Sequence, residues 1–312
     1  YFYNAMNLKL CIHKSNSVKD ILMLKPSLTQ DSDLFAIKQA KSLMGGFAGP
    51  TIILSFVLMI FFSLTYIGMI SKIISLWTGF LLASLITYGI YTVMHDAVHG
   101  SITGKHKSWK WLNDLLGYLA GQILFTSFKA HQKEHLAHHQ HTNIADQDPD
   151  LYITSDTLWG VIKGSFMALP QQYKYYFKQC WGKANRSDKT IVIIELLLMF
   201  SWRGALFIFG YWKVGLISLA ATQMGAFMLV ILFAWLVHRP YNKTKRYENT
   251  STFVFPGISD SIITWMWLFQ NYHSVHHLFP KVPFYKYREL YLKIENVMIK
   301  KNAPIIRIMG AK

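Results

Sequence analysis

The sequence predicts an all-α integral membrane protein: four transmembrane helices in two hairpins, interfacial helices, and a cytoplasmic histidine-rich cap. Three observations predict it. Of 312 residues, 52% are hydrophobic and only 15% are charged, against roughly 25% charged in ordinary soluble domains. Four apolar runs each approach the ~20 residues that a spanning helix needs. Three histidine clusters lie at or near the ends of such runs.

Taken in order, no charge occurs between Lys41 and Lys72, and residues 51–70 are strongly apolar, giving the first span. Residues 73–94 are uncharged and run straight into His95. Lys72 alone separates the two runs, so they form a tight hairpin. Residues 190–211 form the third span; Glu195 and Arg203 within it are costly in lipid and should face protein, a cavity or an interface. Residues 214–237 form the fourth span and end at His238, with Lys213 marking the second hairpin. The stretch 115–128 is apolar but too short to span, so it reads as interfacial or re-entrant. Residues 159–170 and 261–270 read as interfacial helices, and Trp265-Met266-Trp267 as an interfacial anchor. Pro149, Pro170, Pro240 and Pro256 punctuate the loops. One domain is expected over 45–295, preceded by a cytoplasmic or interfacial segment, 1–44, and followed by a cytoplasmic tail, 296–312. No cleavable signal peptide is visible; the chain begins with Tyr1 rather than Met, and its opening residues are set aside.

Two hairpins place the N-terminus, the histidine clusters and the C-terminus on one side. Of the 32 Lys and Arg residues, only Lys72 and Lys213 fall in the opposite loops, and Arg203 lies within a span. The positive-inside rule then makes the histidine side cytoplasmic. The net charge of +16 flanks apolar segments, so anionic lipid headgroups, not nucleic acid, are the expected partner. Cys11 and Cys180 give no disulfide framework and match no Cys-rich metal pattern.

The histidine clusters are His95-x-x-x-His99, His131-x-x-x-His135-x-x-His138-His139-x-His141 and His273-x-x-His276-His277. Positions i, i+3 and i+4 share a helix face, with Cβ atoms roughly 5–6 Å apart. His95 with His99, then His135, His138 and His139, then His273, His276 and His277, can each point one way. These eight imidazoles are too many for one ion, since structural zinc takes about four ligands and catalytic zinc about three. His238, at the end of span four as His95 is at the end of span two, adds a ninth. Two metals with four or five imidazoles each fit the count. Neutral imidazole suits zinc, copper, iron and nickel. No Cys favours zinc, and the boxes hold little carboxylate. Iron in such a set can use O2 against an unactivated C–H bond, whereas a zinc pair would hydrolyse or polarise. A zinc-dependent membrane hydrolase is the alternative of another class. A metal transporter fits less well, because these histidines lie at span ends and transporter sites lie near the midplane. His13 and His106 stand alone and read as ordinary core or interfacial residues.

Several neighbours can support the ligands. His131 and His141 flank the second box as further ligands or supports. Asp148 and Asp150, in a turn around Pro149, can orient a ligand's second nitrogen. Asp96, pointing away from the metals, can hold a neighbouring His or Arg. Asn271, just before the third box, is grouped with these supports.

The three boxes resemble those of the membrane fatty-acid desaturase superfamily, and the two-hairpin layout matches it over roughly residues 45–295. The resemblance implies two irons on the cytoplasmic face, held by the boxes and by a further His at the end of the fourth span, here His238. Zinc can substitute in purified protein of this kind. It also implies O2-dependent hydroxylation or desaturation of a long hydrophobic lipid entering from the bilayer. Electrons would come from a separate ferredoxin- or cytochrome b5-type protein on the cytoplasmic face. His138-His139-x-His141-Thr142 followed by Asp148-Pro149-Asp150, and His238-Arg239-Pro240 followed by Arg246-Tyr247, are similar to bacterial carotenoid ring oxygenases. Gln270-Asn271-Tyr272-His273 through Leu278-Phe279-Pro280 is most similar to the β-carotene hydroxylase branch. Gly100 after the first box is closer to the ketolase pattern, and Ala234 stands where some acyl desaturases place an Asn. The resemblance implies a carotenoid β-ring hydroxylase first and an acyl-lipid desaturase second.

Overall fold

The computed structural model describes residues 32–308. Tyr1, Cys11 and His13 lie outside the described residues, with most of the segment 1–44. In chain order the helices are α1 (Asp33–Leu43), α2 (Gly49–Ile70), α3 (Leu76–Val98), α4 (Lys110–Leu124), α5 (Phe128–His141), α6 (Leu158–Tyr175), α7 (Arg186–Ile208), α8 (Trp212–Leu229), α9 (Ile258–Met266), α10 (His273–Leu278) and α11 (Tyr287–Lys300). Helix α8 continues through a wide turn, Val230–Trp235, in which the N–H of Leu236 reaches back five residues to Ile231. Two short strands, β1 (Thr252–Val254) and β2 (Ile305–Arg307), pair in parallel with Thr252 opposite Ile305.

Helices α2, α3, α7 and α8 with its extension are long and apolar enough to cross a membrane. They run to 22, 23, 23 and 24 residues, or ~33–36 Å at 1.5 Å per residue, enough for a hydrocarbon core of about 30 Å. Helix α3 is the central one: 56% of its apolar window is buried, against 28%, 22% and 28% in α2, α7 and α8. On α2 the side chains of Ile53, Phe56, Ile60, Leu64 and Ile67 are exposed. Their spacing makes one outward apolar stripe, as a lipid-facing helix requires. Gly225 lets α8 lie close to α3, since a Cβ there would come within 2.5 Å of Thr87 Cγ2.

Capping shifts several expected boundaries. The Ser75 hydroxyl accepts from the Thr78 N–H, so α3 begins at Leu76 and carries His95 inside the helix. Asn185 accepts from the Asp188 N–H, which starts α7 four residues before the expected span. The stretch 115–128 divides: α4 stops at Phe125, in the left-handed region at φ 60°, and α5 starts at Phe128. The expected interfacial helices at 159–170 and 261–270 become α6 and α9. Residues 296–308, set off in the sequence as a tail, complete α11 and form β2. Helix α11 packs Tyr287, Leu290, Tyr291 and Ile294 against Ala36 and Ala40 of α1 in one buried cluster.

Glu195 and Arg203, the two ionisable residues inside the third span, are both buried at 3% exposure. Glu195 accepts from the Ser127 hydroxyl at 2.6 Å, the Phe128 N–H at 2.7 Å and the Lys129 N–H at 3.4 Å. It therefore satisfies donors at the start of α5 with a negative charge at the positive end of that helix. Arg203 donates to the carbonyls of Gln122 and Ile123 at 3.1 and 3.2 Å and stacks on Phe125 and Trp202. It meets the negative end of α4. One helix thus grips both sides of the α4–α5 corner, and α5 carries the second histidine box.

Candidate metal centre

Four elements bring the boxes together. Helix α3 supplies His95, and its C-cap is His99. Helix α5 supplies His135, His138 and His139. His238 follows the wide turn after α8, and α10 supplies His273, His276 and His277. Nitrogens of His95, His99, His135, His139 and His276 all lie within 4.8 Å of one another, and those of His138, His238 and His277 form a second group. His273 joins the second group, its Nε2 lying 3.1 Å from that of His277. The two groups adjoin where the His139 and His277 rings stack at 4.2 Å.

The outer nitrogens in the second group fix the tautomers. His138 Nδ1 faces the Asp148 carboxylate at 2.8 Å, His238 Nδ1 faces the Ala234 carbonyl at 2.8 Å, and His273 Nδ1 faces Gln270 Oε1 at 2.8 Å. The Thr142 hydroxyl donates to the His138 carbonyl, so it accepts from His277 Nδ1 at 3.3 Å. All four rings therefore carry hydrogen on Nδ1, and the neutral ones, His238, His273 and His277, turn an Nε2 lone pair inward. Those lone pairs meet at 3.2 Å (His238–His277) and 3.1 Å (His277–His273), and His138 Nε2 lies 2.9 Å from His238 Nε2. Facing lone pairs repel unless a cation sits among them. In the first group the His276 Nδ1 is held by the Tyr287 hydroxyl at 2.8 Å, and His276 Nε2 faces His139 Nε2 at 2.8 Å. His95 is buried with neither ring nitrogen partnered. This donor set fits metal ions.

Burial also keeps the rings neutral. It pushes His99 and His238 down to about 3, helped by neighbouring imidazoles, and lowers His135, His139, His273, His276 and His277 in the same way. His138 is the exception. Burial opposes its charge, but Asp150 and Asp148 outweigh that and raise it to about 9. These two carboxylates favour positive charge at this ring, which a metal on Nε2 would supply.

The supporting residues behave unevenly. Asp148 binds His138 and also accepts the Asn143 and Asp150 N–H groups at 2.7 and 2.9 Å. Asp150 lies 3.5 Å from His138 Nδ1. Asp96 holds neither His nor Arg. Its oxygens take the Thr51 hydroxyl at 2.7 Å and the Phe284 N–H at 3.2 Å, tying α3 to α2 and to the chain before α11. His131 stands outside both groups, its Nδ1 facing Glu134 and Gln172. His141, the last residue of α5, has no described contact with the nine rings. Asn271 donates to the Phe253 carbonyl and Thr264 hydroxyl, so it steadies the chain before the third box and touches no ring. His106, expected to be ordinary, stacks on Phe47. Sequence reasoning missed Gln270, Thr142, Tyr287, Glu134 and Gln172. Gln270 sits three residues before His273 and was legible by spacing. Tyr287 and Gln172 come from distant helices and were not.

A cavity of about 130 Å³ opens between α3, α5, α6 and α8, touching His95, His135, His138, His238 and His273. Its walls are mostly apolar, including Leu124, Leu169, Leu229, Val230 and Phe233. On another side a larger groove of about 690 Å³ reaches His99 between Lys105, Lys107, Lys110 and Lys281.

Residues 71–308 match the family model described as Fatty acid desaturase. A beta-carotene ketolase of Paracoccus sp. (strain PC1) is 28% identical over 206 residues, 64% of this chain and 73% of its own length. An sn-1 oleoyl-lipid 12-desaturase of Anabaena variabilis is 21% identical over 235 residues, 66% of this chain and 65% of its own. An omega-3 fatty acid desaturase of Caenorhabditis elegans is 31% identical over 123 residues, 39% and 28% of the two chains. With a family match over most of its length and four apolar helices to embed it, the chain belongs to the fatty acid desaturase family and is an integral membrane oxidoreductase.

Proposed function

We propose that the protein oxidises a C–H bond on the ring end of a carotenoid-type lipid, using O2, electrons and two bound irons. The observation that carries this reading is the pairing of nine converging imidazoles with a mostly apolar cavity that touches five of them. An ion with metal–nitrogen bonds of about 2.1 Å separates adjacent nitrogens by ~3.0 Å at octahedral angles and ~3.4 Å at tetrahedral ones. The Nε2 contacts between His135 and His99, His139 and His135, and His276 and His139 are 3.1, 3.1 and 2.8 Å. Those spacings admit an ion among adjacent nitrogens, and the family match favours iron. Bound iron would supply the reductive activation of O2. Asp148, Gln270, Thr142 and Tyr287 hold the rings, and the apolar wall excludes water and positions the substrate.

The mostly apolar cavity beside the rings suits a hydrocarbon, and the likeness to a beta-carotene ketolase favours a carotenoid ring end over an acyl chain. The relatives named above include a ketolase and no hydroxylase. The product reading therefore moves from a ring alcohol to a ring ketone formed through the alcohol, with acyl desaturation as the runner-up. The Lys and Arg distribution supports a cytoplasmic histidine face with both termini on that side. There the basic groove at His99 would take an acidic electron carrier.

The test is expression in two hosts, one making β-carotene and one with a defined fatty-acid pool, with lipids analysed by mass spectrometry. The expected product is a ring carrying one more oxygen and two fewer hydrogens. His139→Ala and His276→Ala should each abolish it; full activity in either variant overturns the metal assignment, and products confined to the acyl pool overturn the substrate.

A further inference from the structure

We propose that the polar end of the cavity holds the alcohol made by the first oxidation and keeps its carbon in place for the second. This rests on the ring-oxidation reading above. Besides the converging rings, Thr87, Asp150 and Thr222, the polar residues on the cavity wall are Tyr91, His131, Glu134, Tyr152 and Gln172. None belongs to the nine converging imidazoles. His131 Nδ1 lies 3.3 Å from Glu134 Oε2 and 3.2 Å from Gln172 Oε1. Both partners are oxygens, so Nδ1 carries the hydrogen and Nε2 is an acceptor. That Nε2 is buried and has no partner. Among the described contacts the hydroxyls of Tyr91 and Tyr152 have none either. The group adjoins the metal-facing rings: His131 stacks on His135 at 5.5 Å, and Tyr91 lies 5.8 Å from His95 and 5.6 Å from His131 between ring centroids.

Buried polar groups are ordinarily satisfied, and the open His131 Nε2 on the wall of this cavity, with two phenols beside it, marks what the cavity receives. A hydrocarbon ring satisfies none of them. An alcohol has a proton for an acceptor and lone pairs for two phenolic donors. A ketone has lost that proton. The cavity would thus admit the hydrocarbon through apolar contact, retain the alcohol, and release the ketone. The balance is ring CH2 with O2, two electrons and two protons giving CHOH and water. A second identical input converts CHOH to the geminal diol and water, and the diol loses water to give C=O. The electrons come from the carrier protein in both rounds.

The test uses the whole protein in lipid nanodiscs. Three carotenoid probes differ only at the ring carbon, as CH2, CHOH or C=O, and binding is followed by the shift of their visible absorption. The alcohol should bind roughly tenfold more tightly than either neighbour, the weight of one buried hydrogen bond. Tyr152→Phe and Tyr91→Phe, singly and together, should shrink the preference for the alcohol over the CH2 probe and raise the alcohol-to-ketone ratio in the β-carotene host. Equal binding of all three probes, as expected if the polar groups only hold water, overturns the inference. So does an unchanged preference in the double variant. Preferential alcohol binding without any carotenoid oxidation would keep this site and overturn the proposed reaction instead.

Discussion

A ring nitrogen that faces inward is useful only if the other nitrogen is held, and four of the second group's rings show how this chain does it. Asp148 does most, because both its oxygens accept: one from His138 and the Asp150 N–H, the other from the Asn143 N–H. Burial opposes its ionisation, yet these donors keep the carboxyl below its ordinary range. Asp148→Asn would turn an amide donor toward one of those donors. Tyr287→Phe would free His276 Nδ1. Each should weaken metal binding roughly 10–100-fold, measured by iron titration against a competing chelator. Unchanged affinity in both would show that the rings are positioned by packing alone.

Elements place these residues, and α7 is the one whose role depends least on its own sequence neighbours. Its Glu195 complements the start of α5 and its Arg203 the end of α4, so the corner that aims the second box is clamped by opposite charges at opposite helix ends. Glu195→Gln keeps the shape but leaves one acceptor where three donors converge. We expect a loss of about 1–3 kcal/mol, seen as a lower thermal midpoint in detergent. The loss should come with weaker metal retention, because α5 shifts. A variant with unaltered midpoint and metal content would reduce Glu195 to a bystander. Left-handed φ values at Leu268 and Phe269, 51° and 63°, turn the chain in the same way from α9 into the third box.

At the scale of the whole molecule, many neutral imidazoles in one buried volume make the metal-free fold sensitive to acid. His99 and His238 are pushed down to about 3 and His131 to about 4, by burial first, whereas an unfolded imidazole titrates near 6.5. Between those values the unfolded chain binds protons that the folded chain refuses, so stability falls as pH falls from about 6.5 toward 3. His138, raised to about 9, runs the other way. Its contribution is complete below about 6.5 and lost as pH rises through 9. Chelator-treated protein should therefore melt at lower temperature at pH 5 than at pH 7; equal midpoints would contradict the burial of the rings. The basic groove gives a second molecular-scale expectation. Lys281→Glu with Lys105→Glu should raise KM for an acidic electron carrier roughly tenfold at low salt while sparing kcat, with the difference shrinking as salt rises. A kcat effect with unchanged KM would remove the groove from carrier docking.

Periodicity and spacing alone marked four apolar spans and nine histidines that could point together, because apolar length and the helical repeat are local properties. Local reading also marked Glu195 and Arg203 as residues that must find protein. It could not say that they hold the α4–α5 corner, nor that Asp96 binds Thr51 and Phe284 rather than a His. It placed Asp148 beside a ligand by turn chemistry but left out Tyr287, which reaches His276 from α11, and Gln172, which reaches His131 from α6. Which imidazoles group with which, where the apolar cavity opens, and which polar groups face it were decided only when α3, α5, α8 and α10 packed. Those facts are distances between residues far apart in the chain, and only burial of the helices against one another sets them.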